Sequence, residues 1–454
     1  MSQSTSQHSP FEHFSSDMKR DWDDRAREDA RWYINTVRRG QSDEEFDATC
    51  QHDIQNFILA DLNILTRGRD PRTLRLLEIG CGIGRMTRHL AGIFGEVVGT
   101  DVSVEMIRLG RERLKDFPNV SLHETSGCDF ADFPDEHFDL IFSAYVFQHV
   151  PSAEVIRANI RDAYRVLKPG GVFKFMAAGI TDEEYARMPK DTWTGAPFAS
   201  EDSRRISREL GAQLMSVVGE GSQYFWTVLR KRPRSVSVNS GQPRIIRTGR
   251  ADDLTLKEIP ARGDKAWLGL LLAGLPVEEA DCNDIIVELR GRELAPVYAG
   301  PTGSIDGSAE ADELLQINVR IPEDDPGGET EVQVRMRDGR ASNSLTALIL
   351  PPRPVPPRIT LVSNALDGGV DVYASGPKSL IRVFVDGLSR SATIENVSVR
   401  IGARSFKPLS LTFQPNNAVY LLTLQLPEDT PPQATEISVS FNELTSAAWP
   451  VQLH

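Results

Sequence analysis

The run LRLLEIGCGIGRMTRHLAG, residues 74–92, constrains this chain more than any other stretch. An apolar segment of strand character ends at Gly80, glycines alternate at 80, 82 and 84, and a helical pattern starts near Arg85. Strand, glycine turn and helix in direct succession form the opening βα unit of a doubly wound sheet. In such a sheet a ligand lies across the carboxyl ends of the strands near the first turn. Glycine there admits close backbone approach and dihedrals that a Cβ would forbid. The turn alone does not choose among a phosphate, a nicotinamide dinucleotide and a ligand with no phosphate.

The surrounding pattern predicts a Rossmann-like α/β domain over residues 18–234. Apolar strand segments LRLLEIG (74–80), EVVGTD (96–101), VSLHE (120–124), FDLIFSA (138–144) and GVFKFMA (171–177) alternate with amphipathic segments such as SAEVIRANIRDAYRVLK. Buried strands alternating with helices mean a parallel sheet covered on both faces. Upstream, Trp22, Ala26, Ala30 and Tyr33 fall on one face of a helix, so residues 18–65 read as a helical cap. Residues 1–17 are polar, lack the apolar core of a secretory signal, and read as a flexible arm.

Past SVSVNSGQPR the helical period disappears. Short period-two segments, DIIVELR, LLQINVRI, EVQVRMR and SLTALIL, predict an antiparallel sandwich over 242–350. A proline-rich linker, PPRPVPPR (351–358), then leads to a second sandwich over 359–454. The two halves repeat: Pro322, Glu323, Asp324, Pro326, Thr330, Glu331 and Val334 recur 105 positions later as Pro427, Glu428, Asp429, Pro431, Thr435, Glu436 and Val439. A period of this length means a duplicated domain and not a solenoid. Each half resembles the immunoglobulin-like modules of bacterial multidomain proteins, without the Cys…Trp…Cys spacing of antibody domains.

Composition narrows the function classes. A length of 454 residues suits two to four domains. The formal charge of −13 disfavours unspecific nucleic-acid binding, which depends on phosphate neutralisation. No apolar run reaches the roughly 18 to 20 residues of a membrane span. Cys50, Cys81, Cys128 and Cys282 are scattered with no disulfide-like spacing, which fits a reducing cytoplasm. The basic run RKRPR (230–234) reads as a solvated domain edge. Asp324, Asp325 and Asp429 read as turn residues rather than calcium ligands, and no His, Cys and Asp spacing suggests a metal.

Arg85 and Asp129 sharpen the ligand, while Asp101, a feature NAD enzymes share, does not discriminate. A nicotinamide fingerprint would put a small residue at 85, where the chain has Arg85. Asp101, at the tip of the second strand, can accept from both hydroxyls of a ribose. Asp129, after the third strand, can accept from an adenine amino group. These positions, with EIGCGIGR, the segment FDLIFSAYVFQHVP and the turn LKPGG, resemble the class I S-adenosylmethionine-dependent methyltransferases of small-molecule type over about residues 20–232.

The resemblance implies cofactor contacts at Glu78, Gly80, Cys81, Gly82, Gly84, Asp101, Val102, Met106, Asp129, Phe130, Ala144 and Tyr145. An overlying N-terminal helix would bring Trp22, Arg25 and Trp32 near. It also implies that residues 144–149 border the methyl group and that QYFWTVLRK (223–231) runs antiparallel at the sheet edge. Tyr145, Gln148, His149, Trp193 and Phe198 are candidates for the acceptor pocket, covered by residues 180–200; for the aromatic residues, buried packing is an equal alternative. His149 reads either as a loop-capping residue or as a general base.

The expected function is methyl transfer from S-adenosylmethionine to a small-molecule acceptor, in the cytoplasm, without nucleic-acid or membrane contact. The sandwiches leave a protein or glycan contact open. The alternatives are an NAD-dependent oxidoreductase and a cofactor-sensing assembly protein that works through its sandwiches.

Overall fold

The computed structural model describes residues 12–36, 39–186, 192–234, 241–263, 265–302, 314–351, 356–365, 369–376, 379–389, 392–414 and 419–454. Residues 1–11 of the expected arm, 187–191 of the segment expected over the acceptor, and 352–355 of the linker lie outside these. The chain divides into two compact units. One comprises residues 1–259, 267–320 and 329–348; the other comprises 260–266, 321–328 and 349–454.

The first unit opens with a helical cap: α1 (Glu12–Ile34), α2 (Asp43–Ala48), α3 (Cys50–Ile54) and α4 (Leu62–Thr66). Helix α1 begins inside the expected arm and breaks at Asp29, whose Oδ1 accepts from the Trp32 amide at 3.1 Å and restarts the helix. The alternating region follows in the expected order: β1 (Arg75–Ile79), α5 (Thr87–Ala91), β2 (Glu96–Asp101), α6 (Val104–Arg113), β3 (Val120–Glu124), β4 (Phe138–Ser143), α7 (Ala153–Val166) and β5 (Leu167–Ala177). After these come α8 (Asp182–Ala186), α9 (Ser200–Leu210), β6 (Gln213–Val218) and β7 (Phe225–Arg230). Helix α7 shows why these segments fold as they do. Ser152 caps its first turn, and Val155, Ile156, Ile160 and Ala163 recur at helical spacing on the buried face.

The strand order is β3-β2-β1-β4-β5-β7-β6, with β1 to β5 parallel and β7 antiparallel to both neighbours. The order reverses between β1 and β4, which is the switch point where such sheets bind ligands. One face of the sheet packs Leu76, Leu140, Phe142 and Val172 with Leu90 and Phe94, all fully buried. The QYFWTVLRK strand was expected at the sheet edge. It runs antiparallel, but β6 lies outside it.

Nor is β6 an edge. Strands β8 (Arg244–Arg250), β9 (Glu258–Pro260), β10 (Trp267–Ala273), β11 (Ile285–Leu289), β12 (Arg292–Leu294), β13 (Tyr298–Pro301), β14 (Leu315–Arg320), β15 (Gly328–Met336) and β16 (Leu345–Leu350) follow, and β13 pairs with β6 through Tyr298 and Ser216. The sheet thereby continues through β13-β14-β10-β8. Strands β12-β11-β15-β16 form a second sheet.

The joint between β6, β7 and the loop at 276–284 is polar and largely buried. Gln213, fully buried, donates to the carbonyls of Val277 (2.6 Å) and Ala280 (2.7 Å) and accepts from Arg230 at 3.3 Å. Arg230 reaches Glu278 at 3.4 Å, and Arg232 pairs with Asp281 at 2.7 Å. Of the basic run RKRPR, expected to be solvated, Arg230 is therefore buried in a domain joint, while Arg234 stays exposed.

In the second unit, β17 (Arg358–Asn364), β18 (Leu380–Asp386), β19 (Val397–Ile401), β20 (Arg404–Phe406), β21 (Ser410–Gln414), β22 (Val419–Gln425), β23 (Ala434–Phe441), β24 (Leu444–Thr445) and β25 (Trp449–Gln452) form two antiparallel sheets, β17-β18-β22-β21 and β20-β19-β23-β24. Val383, Val385, Leu422 and Leu424 of one share a core with Val397, Val399, Ile437 and Val439 of the other. The internal repeat extends to hydrogen bonding. Ser342 Oγ accepts from Val334 N at 2.9 Å, and Ser446 Oγ accepts from Val439 N at 2.9 Å, each following its β15 or β23 strand.

Replacing Gln213 by Leu removes a donor from each of the Val277 and Ala280 carbonyls and an acceptor from Arg230, which keeps Glu278. Chemical denaturation of the full chain should show a loss of about 2 to 4 kcal/mol.

Candidate active site

A cavity of about 990 Å³ lies over the carboxyl ends of β1, β2, β4 and β5. Its floor begins at the glycine turn. Gly80, Gly82 and Gly84 have φ of +70°, +54° and +83°, which glycine adopts without strain. Gly80 is also sterically fixed, since a Cβ there would meet Val146 at 2.2 Å. Glu78, fully buried at the end of β1, accepts from the Thr87 hydroxyl at 2.6 Å and so ties the turn to α5. Burial pushes its carboxyl up to about 7.

Asp101, at the tip of β2, accepts from Gly82 N through one oxygen and from Ser103 N through the other, both at 2.9 Å. Burial raises this carboxyl to about 6 against those two hydrogen bonds. A carboxylate has about four lone-pair sites, more than its backbone amides use, so the group can still accept from a ligand. The helical cap closes over it by a related contact. Asp23 of α1 accepts from the Ser103 hydroxyl at 2.6 Å and from Glu105 N at 3.1 Å at the start of α6, where a carboxylate also meets the positive helix end. That anchor brings Trp22 to the cavity.

Across the turn after β4, His149 Nδ1 lies 2.6 Å from the Trp193 carbonyl. A carbonyl only accepts, so Nδ1 carries the proton and Nε2 is the basic nitrogen, with Gln148 Nε2 at 3.3 Å. The rings of Trp22 and Trp193 lie 5.5 and 5.0 Å from the imidazole. Backbone bonds from Gly195 to Gln148 (2.6 Å) and from Ala196 to Val150 (2.8 Å) fasten the 193–196 segment to this turn.

Glu78, Gly80, Cys81, Gly82, Asp101, Val102, Met106, Ala144, Tyr145, Gln148, His149, Trp22 and Trp193 thus line one cavity. Six expected residues do not. Gly84 packs against Leu114 and shapes the turn from behind. Arg25 lies over the rings of Trp22 (4.7 Å) and Trp193 (5.4 Å), outside the lining. Asp129 is exposed and its Oδ1 accepts from Ala131 N, while the Phe130 amide is already taken by Asp162 at 2.6 Å. The cavity wall near β3 is instead formed by Thr125, Gly127 and Asn159. Phe198 is fully buried, 6.0 Å from the Phe175 ring, and is core. Trp32, also expected near the cofactor, stacks under Arg39 at 5.3 Å, away from the lining.

Asp53 and Asn159 carried no motif. Arg85 was noticed only as a break in a dinucleotide fingerprint, yet it lines the cavity and pairs with Asp53 at 2.8 Å. Among the described residues, no three His, Cys, Asp or Glu side chains group as a metal site requires.

The raised carboxyls give a pH test. A carboxyl whose folded pKa exceeds its unfolded value is protonated in the fold while already ionised in the unfolded chain. Stability therefore falls as pH climbs from the ordinary carboxylate range toward the raised value. Glu78→Gln removes that share. Between pH 5 and pH 7 the wild-type melting temperature should drop relative to that of the variant, read by thermal denaturation at both pH values.

Residues 77–175 match the family model described as a methyltransferase domain. A demethylmenaquinone methyltransferase from Tropheryma whipplei is 38% identical over 96 residues, which are 21% of this chain; the chain spans only 38% of that relative's length. A ubiquinone/menaquinone biosynthesis C-methyltransferase from Shewanella oneidensis is 27% identical over 192 residues, covering 40% of this chain and 71% of that protein. A SAM-dependent methyltransferase structure from Aquifex aeolicus aligns over 42% of this chain and 99% of its own at 17% identity, with a TM-score of 0.31. Likeness at that level carries no weight, and the fold assignment rests on strand order and register. The family match falls on the β1-to-β5 segment that builds the cavity floor, and this part of the chain is a methyltransferase domain.

Proposed function

We propose that the chain transfers a methyl group from S-adenosylmethionine to a small-molecule acceptor. The carrying observation is Asp101. It is a half-buried carboxylate at the β2 tip, held by backbone amides beside the glycine turn, with lone pairs left to accept from a ligand. That arrangement suits the two hydroxyls of a ribose, and the glycine turn beside it suits an amino acid portion. When bound, the cofactor supplies an electrophilic methyl on a sulfonium whose departing sulfur is neutral.

The protein's contribution in this reading is placement. Asp101 and the glycine turn orient the cofactor, Trp22 and the 193–196 segment exclude water, and the turn 144–149 borders the transferred group. Fixing both partners in line lowers the barrier by concentration and orientation. His149, with its proton on Nδ1, would take the acceptor's proton at Nε2 where the acceptor is protonated at neutral pH. The two β-rich parts are proposed to be immunoglobulin-like modules with no catalytic group, leaving a protein or glycan contact open. Cytoplasmic residence is proposed on the four cysteines, all buried and unbridged. The names of the relatives suggest an acceptor made in quinone biosynthesis as one option.

The test is ligand stabilisation. S-adenosylhomocysteine at about a hundred times its dissociation constant should stabilise the protein by roughly 2.7 kcal/mol. Asp101→Ala should abolish the shift and NADH should give none. Stabilisation by NADH alone would return the site to an oxidoreductase. A methyl-transfer assay on cell extract then separates an enzyme from a cofactor sensor, which would label nothing.

The affinity should also depend on pH. Ribose hydroxyls donate best to an ionised carboxylate, and Asp101 sits at about 6 in the free protein. S-adenosylhomocysteine binding should therefore weaken as pH falls through that value, and Asp101→Asn should flatten the profile. Calorimetric titrations at pH 5, 6 and 7 would read it.

A further inference from the structure

One wall of the cavity is organised around Asp53. It lies on α3, buried at 7% exposure, and its two oxygens are committed to different partners. Oδ2 accepts from Arg85 Nη2 at 2.8 Å, and Oδ1 accepts from the Tyr145 hydroxyl at 3.1 Å. All three side chains line the cavity. Arg85 is 5% exposed, with its guanidinium 5.6 Å from the Tyr145 ring.

Tyr145 is held in an uncommon conformation, with φ of +61° directly after β4. Strain of this kind persists only where surrounding contacts fix it. Here the fixing contact comes from a different element, the helical cap. The same turn seats Val146 against Gly80 and carries Gln148 and His149 to the cavity rim. Asp53 therefore connects the cap to the turn that would border the transferred methyl.

Two chemical consequences follow. The Tyr145 proton points to Asp53, so its oxygen offers lone pairs to the cavity side and no donor. The Arg85 charge is balanced by Asp53, so this wall has no net positive charge to receive a carboxylate or phosphate. Among the described residues lining the cavity, Arg85 is the only lysine or arginine. Tyr224, which also lines the cavity, stands edge-on to the Tyr145 ring at 6.0 Å, so the wall carries two aromatic rings, with Phe57 at 6.1 Å outside the lining.

We infer that Asp53 and Tyr145 are positioning residues that select the acceptor, favouring an uncharged ring that donates a hydrogen bond over one that carries an anion. This rests on the methyltransferase reading of the site.

The test uses the full chain saturated with S-adenosylhomocysteine, titrated with 2-naphthol and with 2-naphthoate. The two share a ring system and differ in carrying a donor or an anion. Wild type should bind 2-naphthol at least about tenfold more tightly than 2-naphthoate. Tyr145→Phe, which keeps the ring and removes the accepting oxygen, should weaken 2-naphthol about tenfold. Asp53→Asn leaves Arg85 without its counter-charge and should shift the preference toward 2-naphthoate. A merely structural role would weaken both ligands alike and leave their ratio unchanged.

The inference is overturned if wild type prefers 2-naphthoate, binds both equally or binds neither, or if Tyr145→Phe binds 2-naphthol as wild type does. Should Asp53→Asn fail to fold, the wild-type ratio and Tyr145→Phe still decide. Failure of wild type to bind S-adenosylhomocysteine would instead sink the methyltransferase reading, so the two failures are distinguishable.

Discussion

The carboxylate of Asp101 is the joint on which the site depends. Its two hydrogen bonds, to Gly82 N and Ser103 N, fasten the glycine turn after β1 to the start of α6. Ser103 in turn caps α6 by accepting from Met106 N at 3.0 Å, and its hydroxyl donates to Asp23 of the cap. One chain of bonds thus runs from the sheet through the glycine turn to the covering helix. Buried acceptors in such a chain are costly to leave unpaired, so each member fixes the next.

A second polar joint sets how the sheet continues past β6. In many α/β sheets a strand such as β6 would be an exposed edge, a template for unwanted pairing. Here β13 pairs with it, and Gln213, Arg230 and Arg232 bind the loop at 276–284. The buried guanidinium of Arg230 is tolerable because Gln213 and Glu278 both meet it. The β-rich segment of the first unit is therefore continuous with the sheet that bears the cavity.

Much of the site was legible in the sequence. Elements recurring at fixed intervals along the chain declare themselves through periodicity, and the glycine turn and Asp101 sit at positions that strand order alone fixes. Asp129 and Phe130 lie outside the cavity lining for a local reason. The loop after β3 folds so that the Phe130 amide binds Asp162 on α7 and Asp129 turns to solvent. For Phe198 the sequence left pocket and core equally open, and the structure packs it in the core beside Phe175. RKRPR looked like a solvated charge run because its counter-charges, Glu278 and Asp281, lie more than forty residues away.

The sequence by itself determined the alternation of strands and helices, the glycine turn, the carboxylate at the β2 tip, the doubling of the β-rich repeat and the class of ligand these imply. Each of those is written in spacing along the chain. The tertiary structure decided the rest: the extension of the sheet through β13, the tautomer of His149 set by the Trp193 carbonyl, and the Arg85–Asp53–Tyr145 wall. The physical reason is range. Periodicity and turn chemistry act between residues a few positions apart. Ion pairs and buried hydrogen bonds join groups as distant as Asp53 and Tyr145, whose meeting depends on how the cap docks on the sheet.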